Sequence, residues 1–169
     1  MSRFQLVAIG IALALIILDG FDVAVMAYAA PALARDWHID PVLLGFLLSG
    51  SLFGMAAGSI FLTPLADRIG RRNLTMLSLV IASIGMTLTV FSTGITDLLI
   101  YRIITGLGVG GMMANLIVLV SEYSSDKRRG SIIGVYAAGY PIGATIGGLV
   151  AAPLIPAMGW RSIFAVAPC

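Results

Sequence analysis

Five apolar stretches, each long enough to cross a bilayer and joined by short polar links, dominate this sequence. They run at about Leu6–Leu33, Val42–Leu65, Leu74–Phe91, Leu98–Val120 and Ser131–Leu154. A helix needs about 20 apolar residues to span a hydrocarbon core about 30 Å thick. In lipid every backbone polar group must be satisfied within the chain, which for continuous runs of this length means helices. Composition agrees: 59% of the 169 residues are hydrophobic and 11% are charged, where a soluble domain carries about 25% charged residues. Mean hydropathy is +1.04. The fold class is therefore an all-α, polytopic membrane protein. A sixth apolar run starts after Gly159-Trp160-Arg161 and stops at Cys169, too short to cross. The simplest reading is one transmembrane unit, residues 1–169, truncated in its sixth helix.

Several functions are excluded at this level. The net charge of +2 and the lack of a basic patch interleaved with aromatics argue against nucleic acid. Cys169 is the single cysteine, so there is no internal disulfide. His38 has no neighbouring His or Cys and reads as a loop residue, and no metal or cofactor set is visible. Nor is there a nucleophile–base pair of the kind an enzyme needs. Arg3, the first apolar run and Ala27-Tyr28-Ala29 resemble a cleavable signal peptide, but the acids within the run and the spans that follow favour a retained helix.

Basic residues orient the spans. Arg3, Arg68, Arg71, Arg72, Lys127, Arg128 and Arg129 fall on one side and Arg35 and Arg161 on the other, seven against two. By the positive-inside rule the N-terminus and both charged loops are cytoplasmic; the expected location is a cell inner (plasma) membrane. Pro41 is placed to open the second helix. Pro141, within the fifth span, removes a backbone hydrogen bond and is expected to bend it. Gly50, Gly54 and Gly58, then Gly106 and Gly110, then Gly139, Gly143 and Gly147 recur at intervals of four, lining one helix face with small residues for close packing.

Charges inside the spans are the candidate site. Asp19 and Asp22 interrupt the first span within Asp19-Gly20-Phe21-Asp22. Residues three apart lie about 60° apart around a helix, so both carboxyls share a face. Asp19 lies about 20 Å from the cytoplasmic start of its helix, and Arg102, in the oppositely directed fourth span, about 22 Å up from the same side. Charges at one depth in a membrane pair or share a polar cavity. Arg102 then has two readings: a structural ion joining helices, or part of a water-filled path in which an aspartate gains and releases a proton. The second is favoured, because packing alone does not explain two acids at helical spacing. Asp67, Arg68, Arg71 and Arg72 after the second span and Glu122 after the fourth form another set. It reads as a latch between helix ends or as topology alone.

These residues resemble the N-terminal half of a major facilitator superfamily transporter. Asp67-Arg68-Ile69-Gly70-Arg71-Arg72 is similar to that family's loop signature. Arg102-Ile103-Ile104-Thr105-Gly106-Leu107-Gly108-Val109-Gly110-Gly111 is similar to its fourth-helix motif. Glu122-Tyr123 with the basic run to Arg129-Gly130, and Gly159-Trp160-Arg161, resemble the following loops. Within the family, Asp19-Gly20-Phe21-Asp22, Ala30-Pro31 and the run from Asn115 to Tyr123 resemble the aromatic acid:proton symporters. The signature departs in having Thr63 where glycine is usual, and Gly143-Ala144 stands where antiporters have Gly-Pro, which points to symport.

The resemblance implies two six-helix halves around a midplane site, of which the C-terminal half is missing here. This fragment alone is then not expected to transport. It also implies that Asp19, Asp22 and Arg102 serve proton coupling or substrate. Asp67, Arg68, Gly70, Arg71, Arg72, Glu122 and Arg129 would form the gating loops. The implied partners are an aromatic acid such as a hydroxybenzoate, protons and the lipid bilayer. Phe21, Tyr28 and Tyr140 are candidate ring contacts, or ordinary packing. The alternatives are a symporter for a sugar or another organic acid, and a membrane sensor that moves nothing.

Overall fold

The computed structural model describes residues 3–124 and 129–166, which are helical apart from short links. Lys127, Arg128 and Cys169 lie outside the described residues. The order is α1 (Arg3–Trp37), α2 (Pro41–Phe61), α3 (Ala66–Ile69), α4 (Arg71–Val90), α5 (Ile95–Tyr123), α6 (Arg129–Met158) and α7 (Arg161–Val166). Five helices, α1, α2, α4, α5 and α6, are long and apolar enough to cross a membrane.

Most links are shorter than the sequence predicts, because helix ends extend into the polar residues. α1 runs past Arg35, a cation placed favourably in its last turn. It ends at Trp37, and His38 follows with a φ of 52°, in the left-handed region. Asp40 then caps α2, accepting from the Val42 amide at 3.2 Å, with Pro41 at the first helical position. Asp97, in the polar link that the sequence places between the third span's end at Phe91 and the fourth's start at Leu98, sits in the first turn of α5 and accepts from Thr93 Oγ1 at 2.8 Å.

Helix α2 itself stops at Phe61, inside an apolar stretch that continues to Ile69. Pro64 has no amide hydrogen and cannot continue the ladder. The chain tightens into a 3-10 turn over Thr63–Leu65, then forms the short α3 inside the predicted charged loop. Gly70, at φ 84°, turns the chain into α4. The fifth span exceeds its predicted end, since α6 continues through Pro141, Pro153 and Pro156.

α5 packs between α2 and α4, α1 packs along α6, and lighter contacts of α5 with α1 and α6 join the two groups. α7 touches α4, α6 and α1. Glycine permits these contacts. A methyl group on Gly54 or Gly58 would collide with the carbonyl of Ile103 or Leu107, and one on Gly106 or Gly110 with that of Ser51 or Met55. Between α1 and α6, Gly20 meets Tyr140 and Gly143 meets Ile17 in the same way. The four-residue spacing therefore marks backbone-to-backbone seams.

Two apolar clusters fill the interior. One, toward the end bearing residues 38–40 and 91–94 (the distal end), includes Val25, Leu33, Leu47, Met86, Trp160 and Phe164. The other, toward the end bearing the N-terminus (the proximal end), includes Ala12, Ile16, Met112, Leu116 and Tyr136. On α1 the clusters leave out Asp19 and Asp22, which fall between them.

Gly110→Val places a branched side chain against the Met55 backbone and should destabilise the folded protein by about 1–3 kcal/mol or more. Gly134→Val, at a position with open space around it, should change little. Thermal unfolding of detergent-purified variants checks both; equal melting temperatures would refute the seam.

Candidate functional site

The first span places its two acids differently. Asp19 is only 2% exposed, and among the described residues neither of its carboxylate oxygens has a hydrogen-bond partner. Asp22 is half-buried, and its Oδ1 is likewise without a partner. Both line a cleft of about 230 Å³ walled by Leu15 and Leu18 of α1, Ser83 and Met86 of α4, and Val109 and Met112 of α5. Both Asp19 oxygens and Asp22 Oδ1 are thus buried, on the same side of α1. Tyr136 and Tyr140 of α6 lie within electrostatic reach of Asp19. The Tyr136 hydroxyl is buried and also unpartnered.

Arg102 is 1% exposed. Among the described residues no ion pair joins it to Asp19 or Asp22. Its Nη2 donates to Met86 Sδ at 3.3 Å, and its guanidinium lies 4.9 Å from the centre of the Phe164 ring. Nε has no partner. Asp22 and Arg102 are nonetheless within electrostatic reach of one another. α7 presents an aromatic face to the guanidinium, and α4 a sulfur.

Beyond this, Arg161 stacks on Trp160 at 4.6 Å and reaches Trp37 at 5.9 Å, while its Nη2 donates to the Ser92 carbonyl at 3.1 Å. Trp160 stands edge-on to both Trp37 and Phe164. A continuous aromatic and cationic column therefore runs from the distal end to Arg102. Of the candidate rings, Phe21 packs on the distal cluster, and Tyr28 is exposed with its hydroxyl 3.3 Å from the Ala144 carbonyl.

The proximal set separates. Arg71, at the start of α4, pairs with Glu122, near the end of α5, at 2.7 Å. Asn115 of α5 donates to the Arg71 carbonyl at 2.9 Å and to Thr75 Oγ1 at 2.7 Å, tying the same two helices. Asp67 lines an open cleft of about 440 Å³ with Thr63, Arg71 and Asn115. Arg68 and Arg72 stand exposed, Gly70 supplies the turn, and Arg129 opens α6.

Sequence reasoning missed Met86, Met112, Tyr136, Asn115 and Phe164 as parts of these clusters. Asn115 carried a signal, being a polar amide inside a span. Met86 and Phe164 carried none, since an apolar residue in an apolar run is marked only by what it touches.

Comparison with known proteins agrees with this arrangement. Residues 12–169 match the Major Facilitator Superfamily. The chain belongs to that superfamily, as a multi-pass membrane protein. It is 38% identical over 165 residues to the 4-hydroxybenzoate transporter PcaK of Acinetobacter baylyi, covering 97% of this chain and 36% of that protein. It is 31% identical over 162 residues to the gallate transporter of Pseudomonas putida, covering 96% and 36%. These relatives are named as transporters, not enzymes, and the chain spans about 36% of their length.

Among solved structures, a bacterial homologue of the human lysosomal transporter Spinster, inward-facing and unoccupied, superposes with a TM-score of 0.88 at 20% identity, covering 100% of this chain and 41% of that one. The proton:xylose symporter XylE gives 0.81 at 21% identity, covering 99% and 43%. At these identities the likeness establishes the fold.

The Arg71 and Glu122 side chains are 33% and 56% exposed, so Glu122→Gln should change stability by less than about 1 kcal/mol. Urea or thermal unfolding of the purified variant reads this; a larger loss would mean the pair is more shielded than its exposure indicates.

Proposed function

We propose that the full-length protein is a proton-coupled symporter importing an aromatic carboxylic acid such as a hydroxybenzoate. The observation that carries this reading is the set of unpartnered carboxyl oxygens on Asp19 and Asp22, lining a cleft within reach of the unpaired, buried Arg102. An ionised carboxylate without donors is strongly disfavoured away from water. Acids arranged so can exchange a proton with water that enters the cleft. A proton on either aspartate offsets the charge of a substrate anion crossing the midplane, and Arg102 is the embedded cation able to attract that anion. Similarity to transporters of 4-hydroxybenzoate and gallate supports the aromatic class of substrate.

The other assignments follow the same reading. Arg71 and Glu122 join the proximal ends of α4 and α5, and a contact of this kind can close in one conformation and open in another. Asp67, Arg68, Gly70, Arg72 and Arg129 act with them at the gate. The bias of basic residues to the proximal end supports an inner-membrane location with the N-terminus in the cytoplasm.

Asp22→Asn in the full-length protein should abolish accumulation of labelled 4-hydroxybenzoate driven by an inward proton gradient, a loss of tenfold or more. Unchanged accumulation would remove the proton role. Competition by non-aromatic acids or sugars as effective as that by benzoates would replace the substrate class, and binding without any counterflow would indicate a sensor.

A further inference from the structure

Arg102 is held by two neighbours that carry no charge. Its Nη2 meets the Met86 sulfur, and its guanidinium lies over the Phe164 ring. A thioether is a weak acceptor, and an aromatic face attracts a cation through its quadrupole. Together they hold a cation in place without neutralising it. In the same interior Nε is an unsatisfied donor, and Asp22 Oδ1 and both Asp19 oxygens are unsatisfied acceptors. Unsatisfied donors and acceptors of opposite charge, within electrostatic reach of one another, define two competing arrangements. In one the guanidinium pairs with a carboxylate. In the other the carboxyl is neutral and the guanidinium needs another place to rest.

We propose that Met86 and Phe164 are positioning residues that park Arg102 beside Asp22 while Asp22 carries its proton, and release it onto the carboxylate when the proton leaves. This rests on the symport reading and gives it a mechanical part. In the step, the proton passes from the Asp22 carboxyl to water entering the cleft, and the carboxylate left behind accepts N–H donors from Arg102. No other bond changes. The cleft, at about 230 Å³, has room for several waters of about 30 Å³ each. Met86 both lines that cleft and holds the guanidinium, so the parking place adjoins the water path. The groups facing this step are Asp19 and Asp22 on α1, Arg102 on α5, and Tyr136 and Tyr140 on α6. α4 and α7 present Ser83, Met86 and Phe164, and Arg161 of α7 is engaged with the tryptophans.

The test uses the full-length transporter in proteoliposomes with labelled 4-hydroxybenzoate, read as accumulation under an inward proton gradient and as counterflow without one. Without its parking place Arg102 stays on Asp22 and blocks proton exchange, whereas counterflow needs no net proton movement. Phe164→Leu should lower the ratio of accumulation to counterflow at least fivefold, and Phe164→Tyr, which keeps the ring face, should restore it. Met86→Leu, a substitution of similar volume, should lower the ratio in the same direction and serves if Phe164→Leu fails to fold. Equal losses in both assays, or no loss in either, would overturn the positioning role. The wild-type arm stands apart: absence of gradient-driven accumulation there sinks the symport reading, while a normal wild type with insensitive variants sinks only the parking of Arg102.

Discussion

Helix contact in hydrocarbon depends on how closely two backbones can approach. Lipid tails are as apolar as leucine, so no hydrophobic force separates helix–helix from helix–lipid contact, and dispersion at short range must supply the difference. α5 meets this requirement on two sides. Gly106 and Gly110 seat against α2, and Gly108 against Ser78 and Ala82 of α4. α1 and α6 use Gly20 and Gly143 for the same purpose. The two tightly seamed groups touch each other more lightly, which places the closest contacts within each group and the polar side chains near the boundary between them.

The boundary is where the charges collect. Asp19 and Asp22 come from α1, Arg102 from α5, and the tyrosines from α6. Above and below them apolar clusters close the interior. The aromatic column of Trp37, Trp160, Arg161 and Phe164 extends from the distal end to this layer. A movement of α7 would therefore be felt at Arg102.

Much of this was legible in the residues. The spans, the close-packing faces and the three embedded charges follow from run length, four-residue spacing and the cost of charge in lipid, all local properties. Boundaries were less legible because polar residues at a helix end are equally compatible with a link. Asp97 reads as a turn residue until Thr93 bonds it into the first turn of α5. Leu65 reads as helix until Pro64, one residue earlier, forces a tighter turn.

The sequence by itself determined the number of spans and the helices that carry ionisable groups, because each depends only on composition along one segment. The tertiary structure alone decided that Arg102 rests on a sulfur and a ring instead of a carboxylate, and that Arg71 meets Glu122. Such choices depend on which faces of distant helices meet. Met86, Phe164 and Glu122 come from three different helices, and nothing in any one of them specifies the side chain it will find opposite.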